Sequence, residues 1–188
     1  MTVPFGPNDD PDIASVWLWF EFQIALIGEE RAHVFRTFPL GTDIVVEAHR
    51  QHESRFIGLT REEVAEFFDA QRGQLELLTM FELLATAEAI LRIEFNARVT
   101  ARRKDGLSRR FREIHKARRD KIRLDEDILV AMKEEGMPTN VVAAFRGALR
   151  LRNWLAHGRH WDPKLGRGYA PSEVFDIVRA LIEWIPQS

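Results

Sequence analysis

Thr60-Arg61-Glu62-Glu63-Val64-Ala65-Glu66-Phe67-Phe68 opens the stretch on which the fold turns. Thr60 followed three residues later by Glu63 is a capping box. Its hydroxyl and carboxylate each satisfy a backbone N–H left open at a helix start. Apolar residues then recur at Val64, Phe67, Phe68, Leu75, Leu78, Leu83, Ala87, Ile90 and Leu91, the period of a helix with one buried face. Nothing stops the pattern until Lys104-Asp105-Gly106. Gly73 lies inside it, and about forty residues is long for a globular helix. The stretch therefore reads either as one helix kinked at Gly73 or as two helices end to end.

Upstream, Asp10-Pro11 predicts a helix start, with Asp as cap and Pro in the first turn. Ile13, Val16, Phe20, Ile24 and Ile27 follow at helical spacing, and Gly28 is expected to end that helix. A short helix is expected over 29–38, stopped by Pro39 and Gly41, and another from a Thr42 cap to about Gln51. Val16 to Phe22 also reads as a buried strand. Downstream, Ser108 is expected to cap a basic helix to about Arg119. Leu124 to Glu135 predicts a helix closed by Gly136, with Ile128, Leu129 and Met132 inward. Pro138-Thr139-Asn140 restarts the chain, and Val141, Val142, Phe145, Leu149 and Trp154 make the apolar side of the next helix. A turn-rich loop follows from Trp161 to Pro171. Ser172-Glu173 begins a last helix, with Val174, Ile177, Val178, Leu181 and Ile185 on one face. There is no repeat and no convincing strand pair. The expectation is an all-α helical bundle over residues 60–188, with residues 1–59 a helical extension packed on it.

At 188 residues, 45% hydrophobic and 30% charged, the chain has the make-up of a globular protein, not a disordered one. Thirteen Phe and five Trp supply large core side chains. The absence of Cys excludes disulfides and thiolate metal sites, and suits a reducing cytoplasm. The first ten residues have no basic start or apolar run, so no signal peptide is expected. Val16 to Ile27 contains Glu21 and Gln23 and is too short to span a bilayer. The chain is therefore expected to be soluble and cytoplasmic, with no membrane partner.

Net charge is only −2, but it is unevenly spread. Between Arg98 and Arg123 twelve Arg or Lys face only Asp105, Glu113 and Asp120, a local excess of nine positive charges. A polyanion responds to this local field more than to the total. The window reads equally as a salt-bridged surface helix or as a polyanion-binding face.

Near the C-terminal end stands Arg152-Asn153-Trp154-Leu155-Ala156-His157-Gly158-Arg159-His160-Trp161. An arginine can hold phosphate oxygens in bidentate fashion, and a histidine can take and return a proton near neutral pH. Five residues apart, Arg152 and His157 point about 140° apart on an ideal helix. They converge best if the helix terminates at His157, as Gly158 suggests. There the macrodipole stabilises the imidazolium. The plainer reading is that His157 caps carbonyls, Arg152 pairs with a surface carboxylate, and Trp154 and Trp161 pack. No metal site is expected. His157, His160 and Asp162 make weak ligands without Cys, and Glu47, His49, His52 and Glu53 read as a polar surface. His33 and His115 carry no signal. There is no Gly-rich phosphate loop.

The Arg-Asn-x-x-Ala-His-Gly run, late in an all-α chain, resembles the signature of the HEPN superfamily, small α-helical proteins many of which are ribonucleases. The resemblance covers roughly residues 60–184, loosely outside the motif. It implies metal-independent RNA cleavage, in which the 2′-hydroxyl attacks phosphorus to give a cyclic phosphate and a 5′-hydroxyl. It also implies roles. Arg152 would stabilise the transition state, His157 would move a proton or orient the 2′-oxygen, and Asn153 would hold either in place. A homodimer with two motifs at one cleft is implied, with no cofactor. A toxin or phage-defence role, with a possible antitoxin partner, follows from the same likeness. Arg102, Arg103, Lys104, Arg109 and Arg110, with Arg159 and His160, are the candidate RNA contacts. The alternative is a non-catalytic module of the same kind that binds RNA, a nucleotide or a protein. A DNA-binding regulator using Ser108 to Arg123 has no helix-turn-helix pattern behind it.

Overall fold

The computed structural model describes residues 10–38, 44–45, 50–157 and 168–185. The chain is all-α. Among the described residues the only sheet-like feature is one antiparallel bridge between Ile44 and Thr60. The main helices are α1 (Ile13–Arg36), α2 (Arg61–Ala101), α3 (Gly106–Arg118), α4 (Leu129–Glu134), α5 (Thr139–Ala156) and α6 (Pro171–Glu183), with a 3₁₀ turn at Gln51–Phe56. No described helix is long and apolar enough to cross a membrane. The chain divides into two compact units, Trp17–Thr79 and the combination of Met1–Val16 with Met80–Ser188.

In the Trp17–Thr79 unit, Val34, Phe38, Val45, Phe56, Val64 and Phe68 form one buried core, flanked by Ile27, Phe35, Leu59 and Phe67. Phe56 stacks on Phe68 at 5.6 Å and meets Phe67 edge-on at 5.2 Å. Such pairs add about 0.5–1.5 kcal/mol beyond area burial. This core explains why Gly28 does not end α1, contrary to expectation. Ile27 and Val34 continue one apolar stripe through the glycine onto this core, and packing overrides its propensity cost of about 1 kcal/mol. The expected break before residue 29 is absent, and so is a strand over Val16–Phe22. The helix expected from Thr42 falls mostly outside the described residues. Ile44 and Val45, however, are not helical. The Val45 N–H bonds to the Leu59 carbonyl at 3.0 Å, and the Gly58 N–H bonds to the Val45 carbonyl at 2.8 Å. The Thr60–Glu63 capping box forms as read: the Thr60 N–H donates to Glu63 at 2.8 Å and the Glu63 N–H to the Thr60 hydroxyl at 3.2 Å.

α2 runs unbroken through Gly73 for 41 residues. In the larger unit its Leu83, Leu84, Ala87, Leu91 and Phe95 are buried at helical spacing. Phe95 meets Phe111 of α3 at 4.7 Å. α5 packs on α6 and α4, and α4 on α3. Val142, Phe145, Ala148 and Leu151 line the inner face of α5, against Val174, Val178 and Leu181 of α6 as the buried residues there. Ahead of α4, Leu124–Ile128 forms a wider π turn within the single helix that the sequence predicts. Gly136 closes this segment with φ +106°, a backbone state open to glycine. Gly136→Ala is expected to destabilise by about 1–2 kcal/mol, read as a lower urea midpoint at unchanged m-value.

Candidate functional site

α5 ends at Ala156, and His157 is its C-terminal cap, with φ −92° and an N–H bonded to the Asn153 carbonyl at 3.1 Å. The His157 side chain is exposed. It therefore lies at the negative end of the helix dipole. Arg152, one turn earlier, is about two-thirds buried, with 31% of its side chain exposed. Its Nη2 lies 3.1 Å from a Glu88 oxygen of α2, and its Nη1 donates to the Asn153 side-chain oxygen at 3.3 Å. Its Nε is buried with no hydrogen-bond partner among the described residues. Glu88 is shared: its other oxygen accepts two bonds from Arg92, at 3.0 and 2.9 Å. One carboxylate thus holds two guanidiniums. Asn153 is exposed and Trp154 half-buried. Arg159 and His160 lie outside the described residues.

The basic window is less free than its sequence suggests. Arg98 is not a surface cation at all, being 1% exposed. It donates to Glu94 at 2.5 Å and to Asp105 at 3.1 Å, and its Nη1 stands 3.4 Å from the Ser108 hydroxyl. Arg110 pairs with Glu134 at 3.0 Å and Glu113 at 3.2 Å. Arg118 faces Asp127 at 3.4 Å and Arg123 meets Glu126 at 2.5 Å. Glu94, Glu126, Asp127 and Glu134 all lie outside the strongly basic run or bear no part in its count of opposing acids. They lower the field that the local excess of charge implies. Arg103 is half-buried, 3.8 Å from Glu94, and its carbonyl accepts from Arg112 at 2.7 Å. Arg102, Lys104 and Arg109 are exposed. Arg102 follows the last residue of α2 with φ +50°.

The expected cap of α3, Ser108, is instead the residue being capped. Asp105 accepts from the Ser108 N–H at 2.9 Å and from its hydroxyl at 2.6 Å, and Ser108 is buried. Burial pushes the Asp105 carboxyl up, but the two Ser108 bonds and the Arg98 charge outweigh it and hold the group below its ordinary 3.8. A carboxyl depressed on folding adds stability that is complete above the ordinary value and is lost as pH falls through the folded one. Urea midpoints are therefore expected to fall below about pH 4, and Asp105→Asn to flatten part of that acid limb.

Among the described residues, one group has metal-ligand character: Glu30, His52 and Glu53 offer ligand atoms within 4.8 Å of one another. It belongs to the Trp17–Thr79 unit and not to the α5 terminus. Comparison with known protein families, with curated proteins and with solved structures returned no match.

Proposed function

We propose that the chain is a HEPN-like, metal-independent endoribonuclease in which Arg152 and His157 form half of an active site completed by a second copy. The observation that carries this reading is the end of α5. An exposed imidazole caps the helix there, one turn beyond a guanidinium anchored by Glu88 and Asn153. The planar fork of the arginine suits in-plane recognition of phosphate oxygens once phosphate displaces Glu88. In this reading the imidazole passes a proton to the departing 5′-oxygen. In the reaction the ribose 2′-oxygen bonds to phosphorus, the P–O5′ bond breaks, and protons pass from the 2′-hydroxyl and to the 5′-oxygen. In this reading the exposed Arg102, Lys104 and Arg109 attract the RNA backbone. A cytoplasmic toxin or phage-defence role with a neutralising partner belongs to the same proposal.

The test is incubation of the purified chain with RNA in EDTA, with the ends mapped. Cyclic-phosphate and 5′-hydroxyl ends support the reading. Intact RNA in every buffer condition overturns it. A second reading, a non-catalytic binding module, draws on one specific observation: both Nη atoms of Arg152 are already engaged within the chain. RNA affinity without cleavage is its expected result.

A further inference from the structure

Four side chains that lie far apart in sequence meet within the Trp17–Thr79 unit. Glu30 and His33 sit one turn apart on α1, and His52 and Glu53 are neighbours in the 3₁₀ turn. His52 Nε2 lies 2.6 Å from Glu30 Oε1, and His33 Nε2 lies 2.9 Å from Glu53 Oε1. We infer that Glu30, His52 and Glu53, whose ligand atoms lie within 4.8 Å of one another, form a three-donor binding site for a divalent transition-metal cation of the zinc class.

The donor set is the first argument. One imidazole nitrogen and two carboxylates, with water in the fourth position, suit a borderline ion such as zinc, whereas magnesium and calcium prefer all-oxygen shells. Orientation is the second. Arg50 holds the opposite oxygen of each carboxylate: its Nη1 donates to Glu30 Oε2 at 2.8 Å, and its backbone N–H donates to Glu53 Oε2 at 3.1 Å. Both Oε1 atoms are thereby turned to the imidazoles. Tethering of ligands from outside the shell is how proteins orient a metal site. Burial is the third. The Glu53 side chain is 2% exposed, while the Arg50 Nε stands 3.8 Å from its Oε1, beyond hydrogen-bond reach. A carboxylate at that depth requires close positive charge. A cavity of about 380 Å³, bordered by Glu29, Glu30, His33, Arg36 and Arg50, adjoins the Glu30 side of the group. The rival arrangement is a pair of proton-bridged His–Glu contacts with no metal.

Cobalt(II) titration of the chelator-stripped full chain separates the two, since four-coordinate cobalt absorbs in the visible. One cobalt per chain, displaced by zinc, is the expected result. His52 is half-exposed, so His52→Ala should keep its circular dichroism and melting behaviour. It should weaken cobalt binding by about 100-fold, and Arg50→Gln by roughly tenfold. Absence of a visible band at equimolar cobalt overturns the inference. So does an affinity that neither His52→Ala nor Glu30→Gln changes. No RNA enters the measurement, so its outcome is independent of the ribonuclease reading.

Discussion

His157→Ala is expected to lower RNA cleavage by about 10²–10⁴-fold while leaving RNA affinity nearly intact. That is the range by which a positioned acid or base accelerates proton transfer. The side chain is exposed, and the helix cap is made by its backbone N–H. The fold should therefore survive, and a melting curve checks this. Arg152→Lys makes a sharper companion. Lysine keeps the charge but loses the planar fork, so cleavage should fall by about 10²-fold or more if bidentate phosphate contact matters. Undiminished cleavage by His157→Ala would refute the assignment. Loss in both variants together with loss of RNA binding would instead indicate a recognition role.

The second large effect falls on stability. Arg98→Ala is expected to destabilise the chain by about 2–4 kcal/mol. Breaking a buried ion pair removes about 3–5 kcal/mol when the remaining charge is stranded in the interior. Here Glu94 and Asp105 are 25% and 43% exposed, so water recovers part of the loss. The effect is compounded because Asp105 also caps α3. Without Arg98 that cap loses the positive charge beside it, at the point where the chain turns from α2 into α3. Arg98→Met fills much of the vacated space and should recover about 1 kcal/mol of the difference. Urea denaturation of the three proteins reads all of these values. Equal stability of Arg98→Ala and the parent would show that the buried guanidinium does not hold this corner together.

How much of this was visible beforehand depends on the range of each interaction. Local signals were legible. The Thr60–Glu63 box, the long period of α2, the glycine after α4 and the end of α5 at His157 each rest on residues within about a turn of one another. Punctuation read in isolation failed at Gly28, where the stripe from Ile27 to Val34 carries the helix onward. It failed again at Ser108, because Asp105, three residues earlier, offers the stronger acceptor. Long-range pairing was out of reach. Arg98 looks like one of twelve surface cations until Glu94 and Asp105 close around it. The tie between Glu88 and Arg152 joins residues on separate helices and has no sequence signature. For the same reason His33 carried no signal alone, although the fold sets it 2.9 Å from Glu53.

The doubly occupied carboxylate of Glu88 has a consequence for any anion that approaches Arg152. Such a ligand meets a cation whose charge is already partly answered, so it enters by displacement and not by capture at a vacant post. A monovalent anion gains little from that swap. On the proposed function, a phosphodiester held in place by further contacts along its chain drives it. Arg92 remains bound to the same carboxylate in any such exchange.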